Sequence, residues 1–292
     1  LKQPWRRLAP WIAPRSVGIA TPDGDRLAPP WPDIVIGVGR QSIVLGQAIK
    51  RQSQDTTLIQ LQRPTGWQLP FGLGQRDYDL VIPPAHDQVA DHPKVVASIG
   101  ALNRITAAML DQANPAFAEC LAPLNTPRYA VLIGGTSKTH QMTEQAAATL
   151  GNRLAALADV SQCSLMITAS RRTGPEAQRI LRERLDHTPH WFWDGTGDNP
   201  YAAFLATADA IIITNDSVSM ASEAAATGKP LYLYDLPGES LKFARFHQAL
   251  AAHGASRSLP VTADGPLPLF SYPPLLEADR LATIAIERFG WQ

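Results

Sequence analysis

Three short runs in the second half of the chain combine glycine, hydroxyl and guanidinium groups in the way that a phosphorylated ligand requires. Gly134-Gly135-Thr136-Ser137 lets a backbone come close to a phosphate, with Thr136 and Ser137 as hydroxyl donors and Lys138 as a candidate cation. The same run also suits an ordinary strand-to-helix turn capped by Ser or Thr, with Lys138 a solvated lysine. Ser170-Arg171-Arg172-Thr173 offers forked guanidinium groups fitted to a diphosphate, or else a solvated arginine pair. Asn215-Asp216-Ser217-Val218-Ser219 is followed by Glu223, four residues after Ser219 and so on the same helical face. A carboxylate there can accept both hydroxyls of a ribose while Ser217 or Ser219 donates to phosphate. The alternative is a capping box, but Glu223 stands one residue too far from Ser219 for that motif. For a base that takes a proton from an acceptor hydroxyl, the candidates are His86, Asp87 and His140. None of the three runs carries an Asp-x-Asp pair, so the chemistry expected is metal-independent, with no tightly bound cofactor.

The elements around these runs place them at equivalent positions. The first follows an apolar strand over Tyr129 to Ile133 and precedes an Ala-rich helix from about Met142 to Leu157. The second follows Ser164 to Thr168 and precedes a helix from Pro175 to Leu185; the third follows Ala210 to Thr214 and precedes a helix to Thr227. Further strands fit His190 to Trp193 and Pro230 to Tyr234, with helices over Pro200 to Ala206 and Leu275 to Phe289. Short buried strands alternating with helices specify a doubly wound parallel sheet, whose ligands gather beyond the C-terminal strand ends at helix N-termini.

The first half repeats the pattern. Ile34 to Gly39 reads as a strand that turns into a helix through Lys50, and strands follow at Thr56 to Leu61 and Tyr78 to Ile82, the last trailed by His86-Asp87. The fold class expected is therefore α/β, with two Rossmann-like domains facing each other across a cleft. The sequence assigns residues 1–127 to an acceptor-side domain, 128–274 to a nucleotide-binding domain, and 275–292 to a helix packing back on the first. A length of 292 residues with 45% hydrophobic content can fill two cores.

Composition narrows the partners. Lys plus Arg (26) equals Asp plus Glu (26), so no global field draws a polyanion, and nucleic acid is not an expected partner. Cys120 and Cys163 are far apart and form no CxxC pair, which argues against a disulfide framework or a zinc site and for a cytoplasmic setting. No apolar run is long enough to span a bilayer. The start, Lys2-Gln3-Pro4-Trp5-Arg6-Arg7-Leu8-Ala9-Pro10-Trp11, mixes basic and aromatic residues, as segments at the surface of an inner membrane do, though its prolines exclude a long amphipathic helix. The alternative is a linker whose tryptophans pack on the first domain.

Two resemblances rest on these residues. The run from Thr196 to Gly238, TGDNPYAAFLATADAIIITNDSVSMASEAAATGKPLYLYDLPG, resembles the donor-binding signature of GT-B glycosyltransferases, particularly the kind that adds N-acetylglucosamine to a lipid carrier in peptidoglycan synthesis. The set of His86-Asp87, GALNRIT (Gly100 to Thr106), GGTSKTH (Gly134 to His140), SRRTG, NDSVSMASEA and KFARFHQAL with a later SR (Lys242 to Arg257) is similar to the mitochondrial-fission family named for elongated mitochondria. This second resemblance covers nearly the whole chain. It implies that Gly134, Gly135, Ser137, Ser170, Arg171, Arg172, Asp216, Ser217, Ser219 and Glu223 line the nucleotide side of the cleft. Lys242, Phe243, Arg245 and Phe246 would close that side. Members of the family usually begin with a strand and a DGRAG-like loop that this chain does not contain, so the first domain is expected to be short of its first strand.

The function expected is a glycosyltransferase-like protein that binds a nucleotide-diphosphate sugar and passes the sugar to a lipid-linked or envelope acceptor. The glycine loop, a helix N-terminus and an arginine would stabilise the departing diphosphate. Two alternatives stand beside it: a non-catalytic scaffold of the same shape that recruits a protein partner, and a nucleotide-sugar 2-epimerase.

Overall fold

The apolar run Ile34–Val38 forms β1 and passes directly into α1 (Gly39–Gln52), a junction made without a loop because Gly39 takes a φ of 75°. The computed structural model describes residues 1–4, 6, 7, 14, 16–20, 27–64 and 77–291; half of the basic and aromatic start, Trp5 and Trp11 included, lies outside them. The chain divides into two compact units, residues 1–98 with 281–292, and residues 99–280.

In the smaller unit, β1, β2 (Thr57–Leu61) and β3 (Leu80–Ile82) pair in parallel in the order β1-β2-β3. The apolar stripe of α1, Ile43, Val44, Ala48 and Ile49, is buried. Lys50 and Asp79 form an ion pair at 2.9 Å, and Asp79 also accepts the Leu58 amide at 2.8 Å, tying helix and sheet together. The other face of β1 is open: Ile34, Ile36 and Val38 are 38%, 61% and 56% exposed.

In the larger unit, six strands form a parallel sheet in the order β6-β5-β4-β7-β8-β9. They are β4 (Arg128–Ile133), β5 (Ser164–Ala169), β6 (His190–Phe192), β7 (Ala210–Thr214), β8 (Leu231–Tyr234) and β9 (Ser256–Ser258). The intervening helices are α4 (Glu144–Ser161), α5 (Pro175–Leu185), α6 (Tyr201–Thr207), α7 (Val218–Ala225) and α8 (Leu241–Ala252), and two more, α2 (Ala107–Ala116) and α3 (Ala118–Leu121), precede β4. Strand alternation explains the two cores. Tyr129, Val131 and Ile133 of β4 face one core with α4 and α5, while Ala130 and Leu132 face the other with α6, α7 and α8.

The sequence sets its break in the Pro-containing stretch from Pro115 to Pro127, whereas in the structure residues 99–127 pack with the larger unit. Ile105, Leu121 and Leu124 bury their apolar surface in the core beneath α6, and Pro115 sits in the last turn of α2. The final helix, α9 (Glu277–Phe289), begins in the larger unit, and its residues from Leu281 onward group with the smaller one. Among the described residues no helix is long and apolar enough to cross a membrane.

Candidate functional site

The chain winds outward from β4 through β5 to β6, then crosses back to β7 and winds outward the other way. The loops after β4 and β7 therefore diverge from adjacent strands, the point in an open α/β sheet where ligands bind. The three runs singled out in the sequence meet here, all within the larger unit.

Asp216 holds them together. Its side chain is fully buried; Oδ2 accepts the Gly135 amide at 2.9 Å and meets Arg172 Nη1 at 2.6 Å, and Oδ1 accepts the Thr214 hydroxyl at 2.6 Å. Thr214 in turn accepts the Gly134 amide at 2.8 Å, and the Thr136 amide donates to the Arg172 carbonyl at 3.0 Å. Ser170 and Thr173 both donate their hydroxyls to the Gly134 carbonyl. The glycines are required by this convergence. A Cβ at Gly134 would lie 2.1 Å from the Asp216 carboxylate, and one at Gly135 would lie 2.2 Å from the Arg172 backbone.

The loop's amides are consequently spent inside the protein. Ser137 donates to the His140 carbonyl at 2.9 Å, while the Ser137 hydroxyl accepts the Thr139 and His140 amides. The backbone expected from the sequence to face a phosphate serves as a junction between strand ends. Asn215 is likewise structural, bridging Asp235 at 2.9 Å and the Leu236 amide at 3.1 Å.

The groups not spent in this network sit on α7 and in the loop before α5. Ser217 caps α7 through the Met220 amide, and the amides of Val218 and Ser219 in its first turn have no partner among the described residues. An uncommitted helix N-terminus of this kind favours an anion. Arg171 and Ser219 are exposed, and Arg171 makes no ion pair among the described residues, unlike Arg172. Lys138, in the loop after β4, and Lys242, in the first turn of α8, are both exposed.

Glu223 lies one turn along α7 from Ser219. It does not cap the helix; its Oε2 accepts the Tyr201 hydroxyl at 2.6 Å. Burial, reinforced by the adjacent carboxylate, pushes the Tyr201 phenol well above its usual pKa, so it remains a donor. Sequence reasoning missed Tyr201, which no spacing rule connects to a carboxylate 22 positions away.

The candidate bases are distributed differently. His140 is 2% exposed, shares a hydrogen bond of 3.0 Å with Thr139 Oγ1, and packs edge-on against Phe243 at 5.1 Å. Those contacts describe a packing residue. His86 and Asp87 belong to the smaller unit, in the short turn Ala85–Asp87 beyond β3; His86 is buried and Asp87 half-buried. Among the described residues no cluster of three or more His, Cys, Asp or Glu side chains is arranged to hold a metal ion.

Comparison with known proteins fits this architecture. The fold is like that of the UDP-GlcNAc 2-epimerase from Methanocaldococcus jannaschii, with a TM-score of 0.58 over 88% of this chain and 77% of that one; at 13% identity the likeness is one of fold. The α/β, GT-B-like class with two parallel sheets is thus the one the sequence implied. The chain is 32% identical over 279 residues to mitochondrial fission protein ELM1 of Arabidopsis thaliana, an alignment covering 86% of this chain and 62% of the plant protein. It is 30% identical over 289 residues to the uncharacterized protein RP120 of Rickettsia prowazekii (strain Madrid E), covering 87% of this chain and 78% of that protein. The model of the mitochondrial fission ELM1 family matches residues 1–289, and the chain belongs to that family.

Proposed function

We propose that the larger unit binds a nucleoside diphosphate as the leaving-group portion of a nucleotide sugar, in a glycosyltransferase-like protein. One observation carries this reading: at the reversal of strand order, α7 presents two amides with no partner among the described residues and, one turn along the same helix, the half-buried Glu223. The amides and Arg171 would hold the diphosphate, whose negative charge the α7 dipole favours and which grows as the sugar departs. Glu223 would accept the ribose hydroxyls. Arg172, neutralised by Asp216, contributes rigidity rather than charge. Acceptor chemistry is assigned to the smaller unit, with His86 or Asp87 as the base.

The name of the fold neighbour supplies the first probe, a uridine diphosphate sugar. Calorimetric titration with UDP, UDP-GlcNAc and the corresponding adenine and guanine nucleotides tests the site. Saturable binding of one of them is expected, weakened in Glu223→Ala by about 1 to 3 kcal/mol, the cost of leaving a buried polar group unpaired. Unchanged affinity in that variant would remove Glu223 from the site, and failure of every nucleotide to bind would sink the reading.

The scaffold alternative draws on the internally satisfied glycine loop and the packed His140, features of a rigid framework. Nucleotide binding with no sugar transfer to any lipid-linked acceptor would favour it.

A further inference from the structure

Tyr201 is left unexplained by the nucleotide site as described. It opens α6, its amide fixed by the Asn199 side chain at 3.0 Å and its hydroxyl by Glu223 at 2.6 Å. The tyrosine is therefore held at its backbone and at its hydroxyl before any ligand arrives. A hydrogen bond to an ionised carboxylate at this distance is among the stronger ones a protein makes. Because burial keeps the phenol protonated, its one proton is available to Glu223 Oε2, and the hydrogen bond between them is kept.

The other carboxylate oxygen, Oε1, has no partner among the described residues. A glutamate free on a helix surface would sample several rotamers; this one, near the end of α7, is held by a partner on a different element. An oxygen so fixed has lone pairs enough to accept two vicinal hydroxyls.

Resting on the nucleotide reading above, we infer that Tyr201 is a positioning residue: by holding Glu223 Oε2 it presents Oε1 to the 2′ and 3′ hydroxyls of a ribose and sets a preference for ribonucleotides over 2′-deoxyribonucleotides. Tyr201 does not touch the ligand. Its effect is on selectivity, because a carboxylate in one orientation distinguishes a sugar with two hydroxyls from a sugar with one, whereas a carboxylate free to turn finds a compensating partner.

The test is titration of the full chain with UDP and 2′-deoxy-UDP, with the ADP and GDP pairs in parallel, for the wild type, Tyr201→Phe and Glu223→Gln. The wild type is expected to prefer the ribonucleotide by roughly tenfold, the scale of one charged hydrogen bond. In Tyr201→Phe the preference falls to about threefold or less, while affinity for pyrophosphate alone is unchanged. Glu223→Gln keeps an oxygen for the tyrosine but turns an NH2 toward the sugar, so the preference is lost with the fold intact. A purely structural role for Tyr201 would weaken both nucleotides equally and keep their ratio; that result overturns the inference. If the wild type binds no nucleoside diphosphate, the site reading itself falls. Binding with no ribose preference in the wild type would leave the site standing but remove Glu223 and Tyr201 from the sugar.

Discussion

A carboxylate with no exposed surface must have its lone pairs answered from within the protein, and Asp216 is answered by Gly135, Thr214 and Arg172. This separates two arginines that are adjacent in sequence and alike in type. Arg172 is 39% exposed and shares in a network, so its loss leaves a buried carboxylate short of a partner. Arg172→Ala is expected to cost about 1 to 3 kcal/mol of stability and to lower the thermal midpoint by several degrees. Arg171→Ala should change stability by no more than about 0.5 kcal/mol, as exposed substitutions do, yet weaken nucleoside diphosphates far more than nucleosides. Scanning calorimetry with and without ligand checks both; equal thermal effects would mean that the two side chains share one role. The cysteines divide in the same manner. Burial pushes the Cys163 thiol from 9.0 up to about 12, whereas Cys120 is exposed. At pH 8 a thiol reagent should label Cys120 quickly and Cys163 only on unfolding. The sign for stability follows from the raised value: the contribution is complete below about pH 9 and is lost as pH rises toward 12, since the unfolded chain ionises first. Fast labelling of two thiols in the folded chain would contradict this.

Among the elements, those with an apolar run were legible in the sequence, the strands buried on both faces most plainly. β4, β5 and β7 are largely apolar runs because helices cover both sides of the sheet, and a run of that kind bounded by Gly, Ser or Asn marks a central strand. β9 was not visible: Ser256, Arg257 and Ser258 have no apolar signal, and only parallel pairing with β8 makes them a strand. α2 was masked by Pro115, which signals a break when taken alone; it stands one residue before the helix ends at Ala116, so it costs only one closing hydrogen bond. The same limit applied to the site. Residue type and position showed that Gly134, Arg171 and Ser217 follow three strands, and hence that they meet at one sheet edge. The fate of each amide was not legible, because it depends on partners 80 or 81 residues away, as for Gly134 with Thr214 and Gly135 with Asp216. Glycine in that loop is explained by close approach of protein to protein rather than of protein to ligand. Tyr201 was hidden for the same reason, its bond to Glu223 joining two helices.

At the scale of the whole molecule, equal numbers of acidic and basic residues leave no net charge to draw a polyanion, so the nucleotide binding we propose would rest on local groups. Those identified all lie in residues 99–280, which form a compact unit with cores on both faces of their sheet. A ligand that binds only the native state stabilises it by about 2.7 kcal/mol at a hundred times its dissociation constant. The stabilisation has a location, because hydrogen exchange slows where opening would break ligand contacts. With saturating UDP, or whichever nucleoside diphosphate binds, protection is expected in peptides spanning 134–140, 170–177 and 215–223, and not in 34–42 or 85–87. Adding the complete nucleotide sugar should extend it to the smaller unit only if His86, Asp87 or their neighbours engage the transferred group. A nucleoside diphosphate that alone protects both units would show that the smaller one supplies part of the nucleotide site, and would require the assignment of its residues to acceptor chemistry to be withdrawn.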